Sequence, residues 1–183
     1  GALSRGRMTV YDKKAAGFLP GEGCGFVVLK PLEDAVRDKN YVYAVIRGLG
    51  TSSDGRAKSI YAPLPSGQAR ALEAAYRDAG VTPRDIGMLE AHGTGTKAGD
   101  AAEFDALQQV YRADSADTGW CALGSVKSQV GHTKAAAGAA GLIKAALALH
   151  HRVIPPTLKV ERPNPALAID QSPFSIPTAA RPW

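Results

Sequence analysis

The sequence predicts an α/β layered fold, and three observations carry that prediction. Short β-branched or apolar runs, each bounded by glycine or proline, alternate with stretches of helical periodicity. Their order along the chain is strand, helix, strand, helix, strand, helix, the alternation expected of helices layered on a sheet. A hydrophobic fraction of 45% and a charged fraction of 21% over 183 residues describe one ordinary globular core, too short for two comfortable ones.

The first 20 residues lack periodicity and read as loop. Gly23 to Pro31 (Gly-Cys-Gly-Phe-Val-Val-Leu-Lys-Pro) is β-branched and bounded by turn formers, which predicts a buried strand. A short helix over Leu32 to Lys39 follows. Val42 to Leu49 reads as a second strand, ending in the turn-rich Gly50 to Gly55. Apolar residues at Ala71, Leu72, Ala75, Tyr76 and Ala79 predict a helix over Gln68 to Ala79, closed by Gly80. Ile86 to Ala91 is a short strand that runs straight into His92-Gly93-Thr94-Gly95-Thr96. A helix over Ala101 to Tyr111 and a strand over Cys121 to Val126 come next.

Thr133 to His150 predicts the last helix, with Thr133 as its N-cap. Its run of alanines and glycines is small enough for neighbouring backbones to approach, so it reads as a central helix packed on both sides. Each glycine there costs roughly 1 kcal/mol relative to alanine, which tight packing must offset. From Val153 onward the chain is extended and broken by proline.

Composition excludes several functions. The net charge is +5, but the cations are scattered from Arg5 to Arg181 and interleave with no aromatic stripe, so nucleic acid is not expected as a partner. The longest apolar stretch, Ala135 to Leu149, is interrupted by Lys144 and is too short to span a bilayer. There is no signal-like N-terminal pattern. Two cysteines, Cys24 and Cys121, make neither a disulfide framework nor a metal spacing, and both read as small core residues. A cytoplasmic chain is expected.

Chemistry concentrates in two segments of one design, a strand ending in a glycine-flanked histidine and followed by a helix. One is Leu89-Glu90-Ala91-His92-Gly93-Thr94-Gly95-Thr96. The other is Gly124-Ser125-Val126-Lys127-Ser128-Gln129-Val130-Gly131-His132-Thr133. Strand ends are where open α/β sheets bind ligands. An imidazole there can move a proton or donate a hydrogen bond to a developing oxyanion. The residue pattern leaves two readings open, a pair of structural histidines or one shared active site. Asp100 and Glu103, at the start of a helix, are expected to complement its dipole. His150-His151 ends a helix, where a cation is stabilised, and no further metal ligands accompany the pair. Gly21-x-Gly23-x-Gly25 lacks the strand-before-helix order of a dinucleotide site.

Glu90-Ala91-His92-Gly93-Thr94-Gly95-Thr96, Gly99-Asp100 and Glu103 resemble the first histidine motif of the β-ketoacyl synthases. Val126 to Gly138 (Val-Lys-Ser-Gln-Val-Gly-His-Thr-Lys-Ala-Ala-Ala-Gly) resembles the second. The similarity continues through Gly141 to Ala145, Val153 to Thr157 and Pro163-Asn164-Pro165, and upstream through Tyr11-Asp12, Gly17-Phe18 and Pro20 to Gly23. It covers nearly the whole chain.

The resemblance implies a thiolase-like layered αβαβα fold, present here mostly as its C-terminal half. Residues 1–40 would end the N-terminal half, and residues 41–183 would form most of the C-terminal half of one ketosynthase domain. It implies decarboxylative Claisen condensation between a malonyl unit and an acyl group held on an active-site cysteine. His92 and His132 would stabilise the enolate, Lys127 would orient the pocket electrostatically, and Thr94 and Thr96 would hold the phosphopantetheine arm. No metal or organic cofactor is implied; substrates would arrive on an acyl carrier protein. A homodimer and a surrounding multidomain synthase are implied partners.

Neither cysteine matches the family's nucleophile, which would lie upstream, and the glycine-rich loop near the family's C-terminus is also missing. This stretch alone would therefore be inactive. Gln129 stands where many relatives have Asn, and Lys134 where they have Glu or Gln. That combination resembles iterative synthases of the enediyne polyketide type, with polyunsaturated fatty acid synthases as an alternative. Lys134 leaves the acidic partner of Lys127 open. Two other readings compete, a non-catalytic ketosynthase-like partner subunit and a thiolase. The two histidines argue against the first, and the spacing from Lys127 to His132 argues against the second.

Overall fold

The computed structural model describes residues 3–4, 6–56 and 62–183; the predicted loop at the N-terminus extends over residues 1, 2 and 5, which lie outside them. Five α-helices and five short strands are formed among the described residues. In chain order they are α1 (Leu32–Arg37), α2 (Pro65–Ala79), β1 (Met88–Glu90), α3 (Lys97–Asp114), β2 (Cys121–Gly124), α4 (Lys127–Val130), α5 (Ala137–His151), β3 (Val153–Ile154), β4 (Phe174–Ser175) and β5 (Arg181–Pro182). β1, β2 and β4 make a parallel sheet in the order β1-β2-β4, with Leu89 opposite Leu123 and Cys121 opposite Phe174. β3 and β5 form a separate antiparallel pair. The layered α/β class predicted from the alternation is the one observed.

One core lies between this sheet and α3, with α2 packed on α3 from outside. Phe104, Leu107, Val110 and Tyr111 of α3 recur at helical spacing and meet Cys121, Leu123 and Phe174. Tyr76 of α2 reaches Tyr111 through a 2.7 Å contact between the two hydroxyls, which gives both phenols a buried partner. Gly80 ends α2 in a left-handed conformation (φ 66°), as the sequence predicts.

The two strands predicted upstream are not formed. Neither 23–31 nor 42–49 joins a ladder, and much of their apolar surface faces outward: Phe26 is 89% exposed and Val28 97%. Both segments rest on helices by one side. A Cβ on Gly25 would touch Ala139 and Ile143 of α5, and Gly48 and Gly50 lie too close to the α2 backbone to admit one at all. A strand needs a neighbour to accept its amides and carbonyls, and among the described residues neither segment has one.

The end of the second histidine motif also differs. The predicted single helix from Thr133 is a 3-10 turn over Lys134–Ala136 followed by α5. Thr133 does not cap it, and its hydroxyl is buried with no hydrogen-bond partner. Lys134 takes a left-handed backbone (φ 55°), which interrupts the helix between the histidine and α5. Nor is α5 packed on both sides: Ala148 is its one buried residue, and Leu142, Leu147 and Leu149 are exposed. No described helix is long and apolar enough to cross a membrane.

Candidate active site

The parallel register of β1 and β2 carries both histidine motifs to the same end of the sheet. β1 runs through Glu90 into the His92 loop; β2 runs through Ser125 into α4 and then His132. The two imidazoles meet edge to face, with centroids 5.6 Å apart and an interplanar angle of 86°. They line a cavity of about 450 Å³ together with Lys127, Lys134, Glu90 and Gly138. Three of the five predicted site residues, His92, Lys127 and His132, are therefore brought together.

The His92 loop is held from behind by two carboxylates of α3. Glu103 accepts the amides of His92 (2.7 Å) and Gly93 (2.8 Å) and the Tyr11 hydroxyl (2.7 Å). Asp100, buried, accepts the amides of Tyr11 (2.8 Å) and Gly95 (2.9 Å). Burial raises the Asp100 carboxyl to about 6, despite those donors. Gly93 and Gly95 both sit at positive φ, which lets the loop turn tightly enough for its amides to converge on these acceptors. Asp100 and Glu103 thus do more than complement a helix dipole.

Lys127 is nearly fully buried, and its ammonium donates to the His92 carbonyl (2.5 Å) and lies 3.4 Å from His92 Nδ1. An ammonium can only donate, so Nδ1 accepts and the ring proton resides on Nε2. No carboxylate forms an ion pair with Lys127 among the described residues. Glu103 and Glu90 act on it through space, and burial is the main influence lowering its pKa. Desolvation, followed by the Lys127 charge, also holds the His92 pKa below its ordinary value, so the ring is neutral near pH 7.

His132 is fixed by backbone. Its amide donates to the Leu19 carbonyl (2.7 Å), and its own carbonyl accepts from Gly21 (3.1 Å). Gly131 precedes it at φ 76° and ψ −173°, a conformation open essentially to glycine alone. The amide of Lys134 donates to His132 Nδ1 (3.1 Å), which places this ring's proton on Nε2 as well. Burial, then the Lys127 charge, depresses its pKa. Both imidazoles are therefore neutral donors through Nε2.

Beneath the cavity, Glu90 links three elements. Its Oε1 accepts the Val126 amide (2.5 Å), and its Oε2 pairs with Lys144 of α5 (2.6 Å), both side chains being largely buried. Gly141 of α5 leaves room for it, since a Cβ there would lie 3.2 Å from Glu90 Cγ. Sequence patterns alone assign no role to Glu90, Lys144 or Tyr11; the signal available was a charged residue inside each of two apolar runs.

The remaining predicted residues lie elsewhere. The Thr94 and Thr96 hydroxyls contact each other at 3.0 Å, and Thr96 accepts the Gly99 amide as the N-cap of α3; neither lines the cavity. Gln129 points away and donates to the Pro156 carbonyl (3.1 Å). Cys121 is a buried core residue whose thiol is pushed up to about 12 by burial. Cys24, expected in the core, is exposed because its segment finds no strand partner. It borders a separate, mostly apolar groove of about 670 Å³ along α5 that contains neither His92 nor His132. Among the described residues, no thiol lines the histidine cavity.

Comparison with known proteins relates the chain to the β-ketoacyl synthases. Residues 43–161 match the family model described as the C-terminal domain of beta-ketoacyl synthase, and residues 1–35 match the one described as its N-terminal domain. The chain is 46% identical over 184 residues to a subunit of the phenolphthiocerol/phthiocerol polyketide synthase of Mycobacterium tuberculosis, covering all of this chain and 12% of that protein. It superposes with a TM-score of 0.96 and 41% identity on the ketosynthase from module 6 of the Bacillus subtilis bacillaene synthase, covering all of this chain and 33% of that one. The ishigamide ketosynthase/chain length factor is similar at a TM-score of 0.87 and 37% identity, with all of this chain and 42% of that one covered. The chain thus spans about a third of the first of these solved ketosynthases and a much smaller share of the multidomain synthase.

Proposed function

The chain belongs to the β-ketoacyl synthase family, and from that premise we propose that it forms the enolate-stabilising half of a polyketide ketosynthase site. One observation carries this reading: two neutral imidazoles, 5.6 Å apart, whose Nδ1 atoms both accept hydrogen bonds, leaving both Nε2–H groups to donate. Their proximity at one cavity supports an oxyanion site for a thioester oxygen.

In this mechanism the malonyl thioester carbonyl lies between His92 and His132. The bond to the carboxyl carbon breaks, CO2 departs, and its electron pair forms the enolate, whose oxygen takes the two hydrogen bonds. The enolate carbon then attacks an acyl thioester, and the cysteine that carried it leaves as thiolate. That cysteine comes from outside these residues. Lys127 orients His92 and adds to burial in keeping it neutral. Thr94 and Thr96, half-buried beside the His92 loop, are kept as contacts for the phosphopantetheine arm.

An acyl carrier protein, the remainder of a multidomain synthase and a homodimeric partner follow as proposed partners, and the domain itself calls for no cofactor. Residues 1–40 are assigned to the end of the N-terminal half and 41–183 to the C-terminal half, a division supported by the two matched ranges. Gln129 and Lys134 support the finer reading of an iterative, enediyne-type synthase. The pairing of donors favours a catalytic subunit over a non-catalytic partner, which has no use for two enolate-stabilising groups.

The test is CO2 release from malonyl-pantetheine by the full-length protein. His92→Ala and His132→Ala, each with an unchanged circular dichroism spectrum, are expected to lower the rate by about 10²–10³. Undiminished release by both variants would overturn the assignment.

A further inference from the structure

We propose that Lys134 is a substrate-binding residue that holds the free carboxylate of the malonyl unit at the mouth of the histidine cavity. This rests on the condensation reading above and extends it to a side chain to which that mechanism gives no part.

The charge inventory of the cavity points this way. Glu90 is committed to Lys144 and to the Val126 amide, and Glu103 lies behind the His92 loop on two amides and a phenol. Lys127 is buried against the His92 carbonyl. Lys134 is exposed, lines the same cavity, and makes no ion pair or side-chain hydrogen bond among the described residues. Among the described residues, the cavity therefore holds one cation with no polar or anionic partner and no uncommitted anion, the complement of an anionic ligand.

Its position is also fixed. The left-handed turn that directs the Lys134 amide onto His132 Nδ1 sets the direction of its side chain. The ammonium then sits 3.7 Å from the centroid of Phe18, whose ring packs edge-on against His132 at 5.4 Å. A cation held over an aromatic face, one ring away from the proposed reacting centre, loses less freedom on binding an anion than a free surface lysine would.

The physics of the step gives this residue a distinctive signature. A cation on the carboxylate stabilises the bound substrate, and that charge leaves the group as CO2 forms. Its contribution therefore appears in KM and not as acceleration of the chemical step.

The experiment compares wild type, Lys134→Met and Lys134→Arg in the full-length protein, with malonyl-pantetheine for CO2 release and acetyl-pantetheine for acylation. Lys134→Met is expected to raise KM for malonyl-pantetheine about fivefold, with kcat equal or higher and acylation by the uncharged substrate unchanged. Lys134→Arg restores KM, and raising ionic strength increases KM in wild type but not in Lys134→Met. An unchanged KM in Lys134→Met would mean the ammonium only packs on Phe18, and a lower kcat at constant KM would mean it acts through His132. Either overturns the proposal while leaving the condensation reading intact. Absence of CO2 release from wild type would overturn both.

Discussion

His92 and His132 reach the same tautomer by opposite means. His92 is oriented by side chains: the Lys127 ammonium on one side and the Glu103 carboxylate on its amide. His132 is oriented by main chain, through the Lys134 amide, the Leu19 carbonyl and the amide of Gly21. One half of the oxyanion site is thus adjustable by ordinary substitution. The other is built into the path of the chain and changes only when that path does.

Forcing the main chain should produce the larger effect. Gly131→Ala places a Cβ 2.9 Å from the Leu19 carbonyl oxygen at a φ of 76°, so the turn must move and His132 with it. A displacement near 1 Å is expected to lower CO2 release by about a hundredfold, while a change below tenfold would show that side-chain packing alone can hold His132.

Breaking the side-chain support should cost less and leave a different trace. Lys127→Met removes the charge that, after burial, keeps the His92 pKa low. His92 then binds its proton at a higher pH, so the acid limb of the CO2-release profile shifts upward, and the loss of the contacts that orient the ring lowers the rate by about tenfold above that limb. The sign is fixed: a lowered pKa keeps the ring neutral to more acidic pH, and removing its cause gives that range back. A profile whose acid limb stays in place would remove Lys127 from the tuning of His92.

The smallest effect belongs to a residue of the same motif that serves neither histidine. Gln129→Ala loses one exposed hydrogen bond to the Pro156 carbonyl. It should cost about 0.5–1 kcal/mol in thermal unfolding and leave CO2 release unchanged. A drop in rate comparable to that of Lys127→Met would show that α4 transmits strain to both histidines.

This contrast also explains what could be read from residues alone. The strands β1 and β2 and the two histidine motifs were legible because each of these strands carries its own apolar pattern and each histidine its own glycines, whereas β4 is too short to show one. Residue pattern alone leaves open whether His92 and His132 share a site; the resemblance groups them with Lys127, and the parallel register is what carries both motifs to one end of the sheet. The segments 23–31 and 42–49 misled for a physical reason: an apolar run states a demand for a partner, and only the partner decides whether a strand forms. Thr133 misled similarly, because helix periodicity continues past it while the backbone at Lys134 turns left-handed. Glu103, Glu90 and Tyr11 act through contacts far apart in sequence, which local patterns do not encode.

The segment from Tyr11 to Gly21 has a meaning for how such proteins can be recombined. Its amides and carbonyls are bonded to Asp100, Gly95, His132, Arg162 and Asn164, and the Asp12 carboxylate takes the amides of Glu161 and Arg162. This stretch is a seam sewn to both histidine motifs and to the 161–164 segment. A chimaera that joins one parent's residues 8–21 to another's residues 88–164 would cut across those stitches and inherit a mismatched pocket. A crossover placed upstream of residue 8, with the whole seam travelling together, would exchange the rest of the synthase while leaving the two imidazoles in register.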